Sequence, residues 1–366
     1  MRSSQLSHPA NKQRCLSGWQ VHGTRLGGSM RADELPPPVQ MTQLLAGFQL
    51  SQALYAAAVL GVADHLVAGP EPVAVLAEHT GAHAPSLHRL LRTLAAAGVF
   101  TEPEPGVFAL TPLGQTLASG QPGSMRDLAI TLMETHYAPF GDLIHTIRTG
   151  QPAAEHLYGQ PFFTWLSHHP EQATRFTAAM ANATSATKTA AIASLPLDGI
   201  DTIVDLGGAD GAVLASILPA HPHMRGVLFD LPHVIADAPK ALAERGIQDR
   251  VDCVAGDFFA SVPAGGDGYL LSLVLHSWPD SGALRILRNI AAASGSGARL
   301  LLIEFVVPAG DAPHLSKMLD LTMLAMAGGK ERTEPEWREL LTAAGFTGIA
   351  VRQTGTPFSV ISAAAP

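Results

Sequence analysis

The chain has 366 residues, 31 acidic against 23 basic side chains, a formal net charge of -8, and 47% hydrophobic but only 15% charged residues. At roughly 100–200 residues per domain this makes two or three domains with ample core. The chain is too apolar for a disordered protein and too acidic for a dedicated nucleic-acid binder, which needs surplus Lys and Arg to neutralise phosphates. Two cysteines, Cys15 and Cys253, are too few for a disulfide framework or a Cys-based zinc site, and this usage points to a reducing, cytoplasmic setting. No window approaches the ~18 apolar residues of a membrane span, and MRSSQLSHPANKQRCLSGWQ lacks the apolar core of a secretory signal.

Residues 1–38 are polar, contain Gly, Ser and Pro, and end in Pro36-Pro37-Pro38. They read as a mobile extension, or as an over-long start with Met30 or Met41 as later alternatives. Residues 39–195 read as mostly helical: Leu44, Leu45, Phe48, Ser51, Leu54 and Tyr55 fall near the spacing of one helix face. Leu87, Leu90, Leu91 and Leu94 do the same before a stop at Gly98. Within 73–117, two helices and two short apolar runs separated by Glu-Pro-Glu-Pro-Gly outline a winged helix. That outline fits either DNA recognition or a packing and dimerisation module. The second is favoured, because the second helix and the turn before it carry only Arg89, Arg92 and two histidines and acids flank the hairpin.

Residues 196–366 alternate strands (Thr202–Leu206, 226–230, 251–254, 268–275, 299–306, 347–352 and 357–362) with helices (212–218, 233–245, 281–293, 315–327 and 334–344). Val/Ile/Leu-rich strands alternating with helices predict a mainly parallel, doubly wound α/β sheet.

The sharpest local pattern is Ile203-Val204-Asp205-Leu206-Gly207-Gly208-Ala209-Asp210-Gly211, a buried-strand run opening into a helix. Its glycines let the backbone turn sharply and approach a ligand closely. NAD, FAD and S-adenosylmethionine (SAM) sites all use such a turn, and the acids in this one discriminate among them. Pyrophosphate at a helix N-terminus repels carboxylates, whereas Asp205 and Asp210 suit a cationic, phosphate-free ligand. The next strand ends at Asp230-Leu231, where a carboxylate can accept ribose hydroxyls. The third leads into Gly256-Asp257-Phe258-Phe259, where an acid can accept from an adenine amino group and an aromatic can cover the ring; taken singly, these two also fit a turn acid and core packing.

After the fourth strand comes Leu275-His276-Ser277-Trp278-Pro279-Asp280. A His at the carboxyl end of a central strand lies over the ligand crevice of such a sheet. Glu304 interrupts the apolar run Leu301-Leu302-Ile303-Glu304-Phe305, and Glu331 follows a Met-rich helix in Gly328-Gly329-Lys330-Glu331-Arg332-Thr333. A buried carboxylate needs a partner, and a histidine so paired has its tautomer fixed and its protonated form stabilised.

The motifs VDLGGADG, FDLP, GDFF, LHSWPD, LLIEFVVP and GGKERT stand in that order. With them, residues 41–363 resemble the SAM-dependent small-molecule O-methyltransferases, the group of plant caffeic-acid-type enzymes and bacterial polyketide and antibiotic tailoring enzymes. The resemblance implies a helical, winged-helix-like dimerisation and substrate-lining domain over 39–195, a Rossmann-like SAM-binding catalytic domain over 196–366, a homodimer, and catalysis without a metal. By position it implies that Asp205, Gly207, Gly208, Asp230, Leu231, Asp257, Phe258, Ser272, Met180 and Ser185 (or Thr184) surround the cofactor. It implies that His276 is the general base with Glu304 and Glu331 as its carboxylate partners, and that Phe176, Met180, Met323 and Met326 line the substrate pocket. Two positions depart from the pattern: Ser277 replaces an acid common after the base, and Ser272 stands where plant relatives often have Lys. Some relatives bind SAM but catalyse decarboxylation or hydroxylation, and a ligand-binding regulator is a remote alternative. On the methyl-transfer reading a phenolic or enolic hydroxyl is the acceptor. With a phenol pKa of about 10 and an imidazole pKa of about 6.5, full proton transfer before attack costs about 5 kcal/mol, so deprotonation and attack must be concerted.

Overall fold

The computed structural model describes residues 35–366, without the side chains of 184–187. The extension read into 1–38 therefore falls almost wholly outside the described residues. Its last part is not extension: Pro37 opens the helix Pro37–Leu45, where a missing N–H costs nothing and the fixed φ already suits a helix.

The face expected across Leu44–Tyr55 is divided between two helices, Pro37–Leu45 and Gly47–Val59, with a break at Ala46. Leu44 and Leu45 are 75% and 70% exposed, and Phe48 is exposed too. The winged-helix outline is present. Helices Val73–Thr80 and Ala84–Ala96 lie in the chain between β1 (Glu71–Pro72) and β2 (Phe100–Glu104), which flank β3 (Val107–Leu110) in a small antiparallel sheet. The predicted leucine stripe is the inner face: Leu87, Leu91 and Leu94 are buried with Val62, Leu76, Phe100 and Phe108.

The second sheet has β4 (Thr202–Leu206) at its centre. On one side lie β5 (Arg225–Asp230) and β6 (Val251–Ala255). On the other lie β7 (Gly268–Ser272), β8 (Arg299–Val307), β11 (Phe358–Ala364) and β10 (Thr347–Gln353), with the short β9 (Arg332–Thr333) also paired to β8. β4 to β9 pair in parallel, whereas β11 and β10 close the edge antiparallel. The strand order reverses between β4 and β7, and the crevice beyond the carboxyl ends of strands at such a reversal is where open α/β sheets bind ligands.

Two sequence boundaries are corrected. The fourth strand was expected to run to 275 but ends at Ser272, because Leu273 takes φ 58, a left-handed conformation that a strand cannot continue through. The helix expected over 233–245 is two pieces, Pro232–Ile235 and Ala238–Glu244, since Pro239 fits only a first helical turn. The long helix Pro170–Ala193 links the halves: Ala191 and Ile192 at its end pack with Leu195, Ile203, Leu214 and Val360 in the core of the large sheet. No helix among the described residues is long and apolar enough to cross a membrane.

Candidate active site

The turn after β4 is built for close approach. Gly207 has φ +72, and a Cβ there would meet Val274 at 3.0 Å and the Phe258 ring at 3.9 Å. A Cβ on Gly208 would lie 2.4 Å from Leu228 and 2.6 Å from an Asp205 carboxylate oxygen. Ala209 itself sits at φ 49, and Asp230 braces it by accepting its N–H at 2.9 Å while accepting that of Leu231 at 2.7 Å. Each Asp230 oxygen thus makes one backbone bond and keeps a lone pair for a ligand hydroxyl. Burial raises the Asp230 pKa, against the lowering effect of those two bonds.

Asp205 is buried, with Oδ2 lacking a hydrogen-bond partner among the described residues. Burial pushes its pKa up to about 7, offset by the nearby Lys188 cation and reinforced by Asp230 and Asp210. Ser272 Oγ, at the end of β7, is a second buried polar atom without a partner. Such orphans cost free energy unless a ligand or water meets them. Asp210 does not share this role as its sequence position suggested. It turns outward to pair with Arg245 and to accept from Ala212 N. Asp257 is exposed and accepts from Phe259 N at 2.8 Å, leaving its other oxygen available, and Asn289 holds the Phe258 carbonyl at 2.8 Å. Leu231 lies exposed beside Asp230. Met180 is half-buried on the long helix, while the side chains of Thr184 and Ser185 lie outside the described residues.

His276 sits in a 3-10 turn, Leu275–Ser277, beyond β7. Its Nδ1 is 2.8 Å from Glu331 Oε1, and the Glu331 side chain is fully buried. Burial alone disfavours a charged ring, but the Glu331 hydrogen bond and the carboxylates of Glu304 and Glu331 outweigh it and raise the His276 pKa. Glu304 does not bond the ring. Its Oε1 accepts the N–H groups of Val274 and Leu275 at 3.2 and 2.9 Å, which fixes the turn that carries His276. Its Oε2 is unpartnered among the described residues, and burial pushes its pKa up to about 7. The expected pair of carboxylate partners therefore divides into one bonded to the ring and one bonded to the backbone beneath it.

Sequence reasoning missed Arg332, which is fully buried. It donates to the Leu275 and Trp278 carbonyls at 3.1 and 3.0 Å, pairs with Asp280 at 2.8 Å, and stacks on Trp337. Lys330 N–H also donates to the His276 carbonyl at 2.9 Å, and only a glycine at 329 lets the strands of chain pass so close, since a Cβ would lie 2.2 Å from that carbonyl. The signal was an arginine directly after the buried acid and an aspartate four residues after the histidine. Beside this loop, Phe162, Leu166 and Met326 form a small buried cluster against Phe176, Tyr158 and Trp165, and Met323 is half-buried on the same helix as Met326.

Residues 140–347 match the O-methyltransferase domain model, and residues 42–120 match the O-methyltransferase dimerisation domain. The chain belongs to the O-methyltransferase family. It is 43% identical over 333 residues to a phenazine O-methyltransferase of Lysobacter antibioticus, covering 91% of this chain and 98% of that one. It superposes with TM-score 0.74 and 36% identity on an O-methyltransferase from neocarzinostatin biosynthesis solved with SAM and 2-hydroxy-5-methyl naphthoic acid, over 86% of this chain and 96% of that one. It is also 36% identical, over 83% of each chain, to aclacinomycin 10-hydroxylase of Streptomyces purpurascens. The methyltransferase thus has a helical dimerisation domain, an α/β SAM domain and SAM as its cofactor. The buried orphan atoms on Asp205 and Ser272, the braced glycine turn and the free lone pairs of Asp230 fit a polar, cationic, ribose-bearing molecule in that crevice.

Proposed function

We propose that this methyltransferase acts on a phenolic or enolic hydroxyl of a small aromatic natural product, with His276 as general base. The observation that carries the reading is the 2.8 Å bond between His276 Nδ1 and the buried Glu331. It assigns the Nδ1 proton to the carboxylate and leaves Nε2 as the basic atom.

Bound SAM supplies an electrophilic methyl group. The chain's own residues supply the rest. Nε2 of His276 takes the hydroxyl proton as the acceptor oxygen attacks, and Glu331 stabilises the imidazolium that results. Glu304 and Arg332, by holding the backbone of 274–278, keep the ring where a hydroxyl can meet it. Asp230, Leu231, Asp257 and Phe258 hold the adenosine, and Phe176, Met180, Met323 and Met326 form apolar walls that orient a planar ring and exclude water. The phenazine and naphthoate rings in the names of the relatives support a fused aromatic acceptor.

The test is His276→Ala, expected to lower kcat by about 10²–10⁴-fold, as for a positioned base, with SAM binding retained. Near-normal turnover to an unchanged product would refute the base assignment. The hydroxylase relative favours one second reading, oxygenation on the same scaffold. Product mass separates the two, since methyl transfer adds one methylene equivalent and yields S-adenosylhomocysteine. The matched dimerisation domain and the bare Leu44, Leu45 and Phe48 support a homodimer, and a reducing cytoplasm remains the setting its cysteine usage favours.

A further inference from the structure

The helix Arg126–Thr131 does not continue regularly but passes into a π-turn, Leu132–His136, before the helix Tyr137–Gly141 resumes. Such turns are rare and concentrate at functional sites. This one is anchored on both flanks: Glu134 pairs with Arg175, Gln52 reaches Met133 at 3.4 Å, and Tyr158 donates to the Thr135 carbonyl at 2.6 Å.

The turn ends on His136, which is only 7% exposed. Its ring lies edge-on to Phe162 at 5.4 Å and parallel to Phe176 at 6.5 Å. Phe162 packs with Met326, so the imidazole belongs to the aromatic wall beside the loop that carries Glu331. Its tautomer follows from its neighbours. Thr135 Oγ1 spends its proton on the Thr131 carbonyl at 2.7 Å, so at 2.7 Å from His136 Nδ1 it can only accept. Nδ1 therefore carries the ring proton and Nε2 is a bare lone pair, with no hydrogen bond among the described residues. Burial drives the His136 pKa down to about 4, which keeps the ring neutral at working pH. Five residues earlier, about one π-turn away, the buried Thr131 hydroxyl also lacks a partner.

We propose that His136 is a specificity-determining residue: its Nε2 accepts a hydrogen bond from a second O–H or N–H on the aromatic acceptor, distinct from the hydroxyl that is methylated. This rests on the proposed reaction only for what occupies the pocket. An acceptor lacking that donor leaves the Nε2 lone pair of this largely buried ring unmet, worth about 5- to 150-fold in affinity.

The experiment is calorimetric titration of the full chain saturated with S-adenosylhomocysteine. The probes are two matched pairs, 2-naphthol with 2,7-dihydroxynaphthalene and 1-hydroxyphenazine with 1,6-dihydroxyphenazine. In the wild type, at least one dihydroxy compound should bind about 5- to 150-fold more tightly than its partner. His136→Phe, which suits the aromatic cluster, should reduce that ratio to near one. Thr135→Val keeps the ring but withdraws the acceptor of its Nδ1 proton, and should reduce the ratio as well. Absence of discrimination in the wild type, or discrimination that survives both substitutions, overturns the proposal. Discrimination that behaves as expected while no probe is methylated would count against the proposed reaction and leave His136 in its role.

Discussion

Replacing Glu331 by Gln probes the proposed catalytic arrangement most directly. The substitution keeps the shape and an acceptor oxygen opposite His276 Nδ1, so the 2.8 Å contact in its fully buried setting can persist. What disappears is the charge. A hydrogen bond to a charged group contributes about 1.5–3 kcal/mol against about 0.5–1.5 for a neutral one, so the imidazolium forming in the transition state loses about 1–1.5 kcal/mol. That corresponds to roughly tenfold in kcat. The sign on pH follows from the same charge. The carboxylates raise the His276 pKa above its ordinary value, and a general base works only when deprotonated, so the wild-type rate rises with pH through that raised pKa. In Glu331→Gln the acidic limb should move to lower pH while the plateau falls. The assay is the pH profile of kcat from mass-spectrometric S-adenosylhomocysteine formation, with SAM affinity and thermal melting as controls. A profile whose limb and plateau coincide with the wild type would refute the coupling, and a lowered plateau with an unmoved limb would reduce Glu331 to packing.

Asp230→Ala should weaken SAM binding by calorimetry about tenfold or more, because it removes both the proposed ribose acceptor and the brace on the Ala209 N–H; unchanged affinity would remove Asp230 from the site. Arg332→Ala should lower stability by about 2–4 kcal/mol in denaturant titration, since it strips one buried and one part-buried carbonyl of their donor and empties a packed site, and a loss below about 0.5 kcal/mol would show that the His276 loop holds itself. Leu45→Glu places a charge on the bare N-terminal face. Light scattering should then report a monomer against the dimer proposed for the wild type, and a dimer in both would place the interface elsewhere.

Much of this site is legible in local sequence. A carboxylate inside Leu301-Leu302-Ile303-Glu304-Phe305 announces a buried acid, and the structure buries Glu304 completely. The turn after β4 declares its backbone need through Gly207 and Gly208, because only residues without Cβ fit that approach. Asp210 was misleading for the opposite reason: its position in the motif says nothing about Arg245, thirty-five residues away, which turns it outward. The same holds for His136, one of 16 histidines, whose role depends on a π-turn and two rings from distant helices rather than on any motif.

Periodicity, turn residues and the order of short motifs were enough to establish a helical domain followed by a doubly wound sheet, and to single out His276, Glu304 and Glu331. These are consequences of short-range sterics and of which side chains tolerate burial, so a linear string can carry them. The division of labour among those three residues was decided only by the tertiary fold. Parallel pairing of β7 with β8 sets Glu304 beneath the turn at 274–275, and the pairing of β8 with β9 brings the 328–331 loop over the ring, so that Glu331, fifty-five positions away, makes the bond. A hydrogen bond requires placement to a few tenths of an ångström, and between segments so far apart in the chain only the registered sheet and its packed loops supply it.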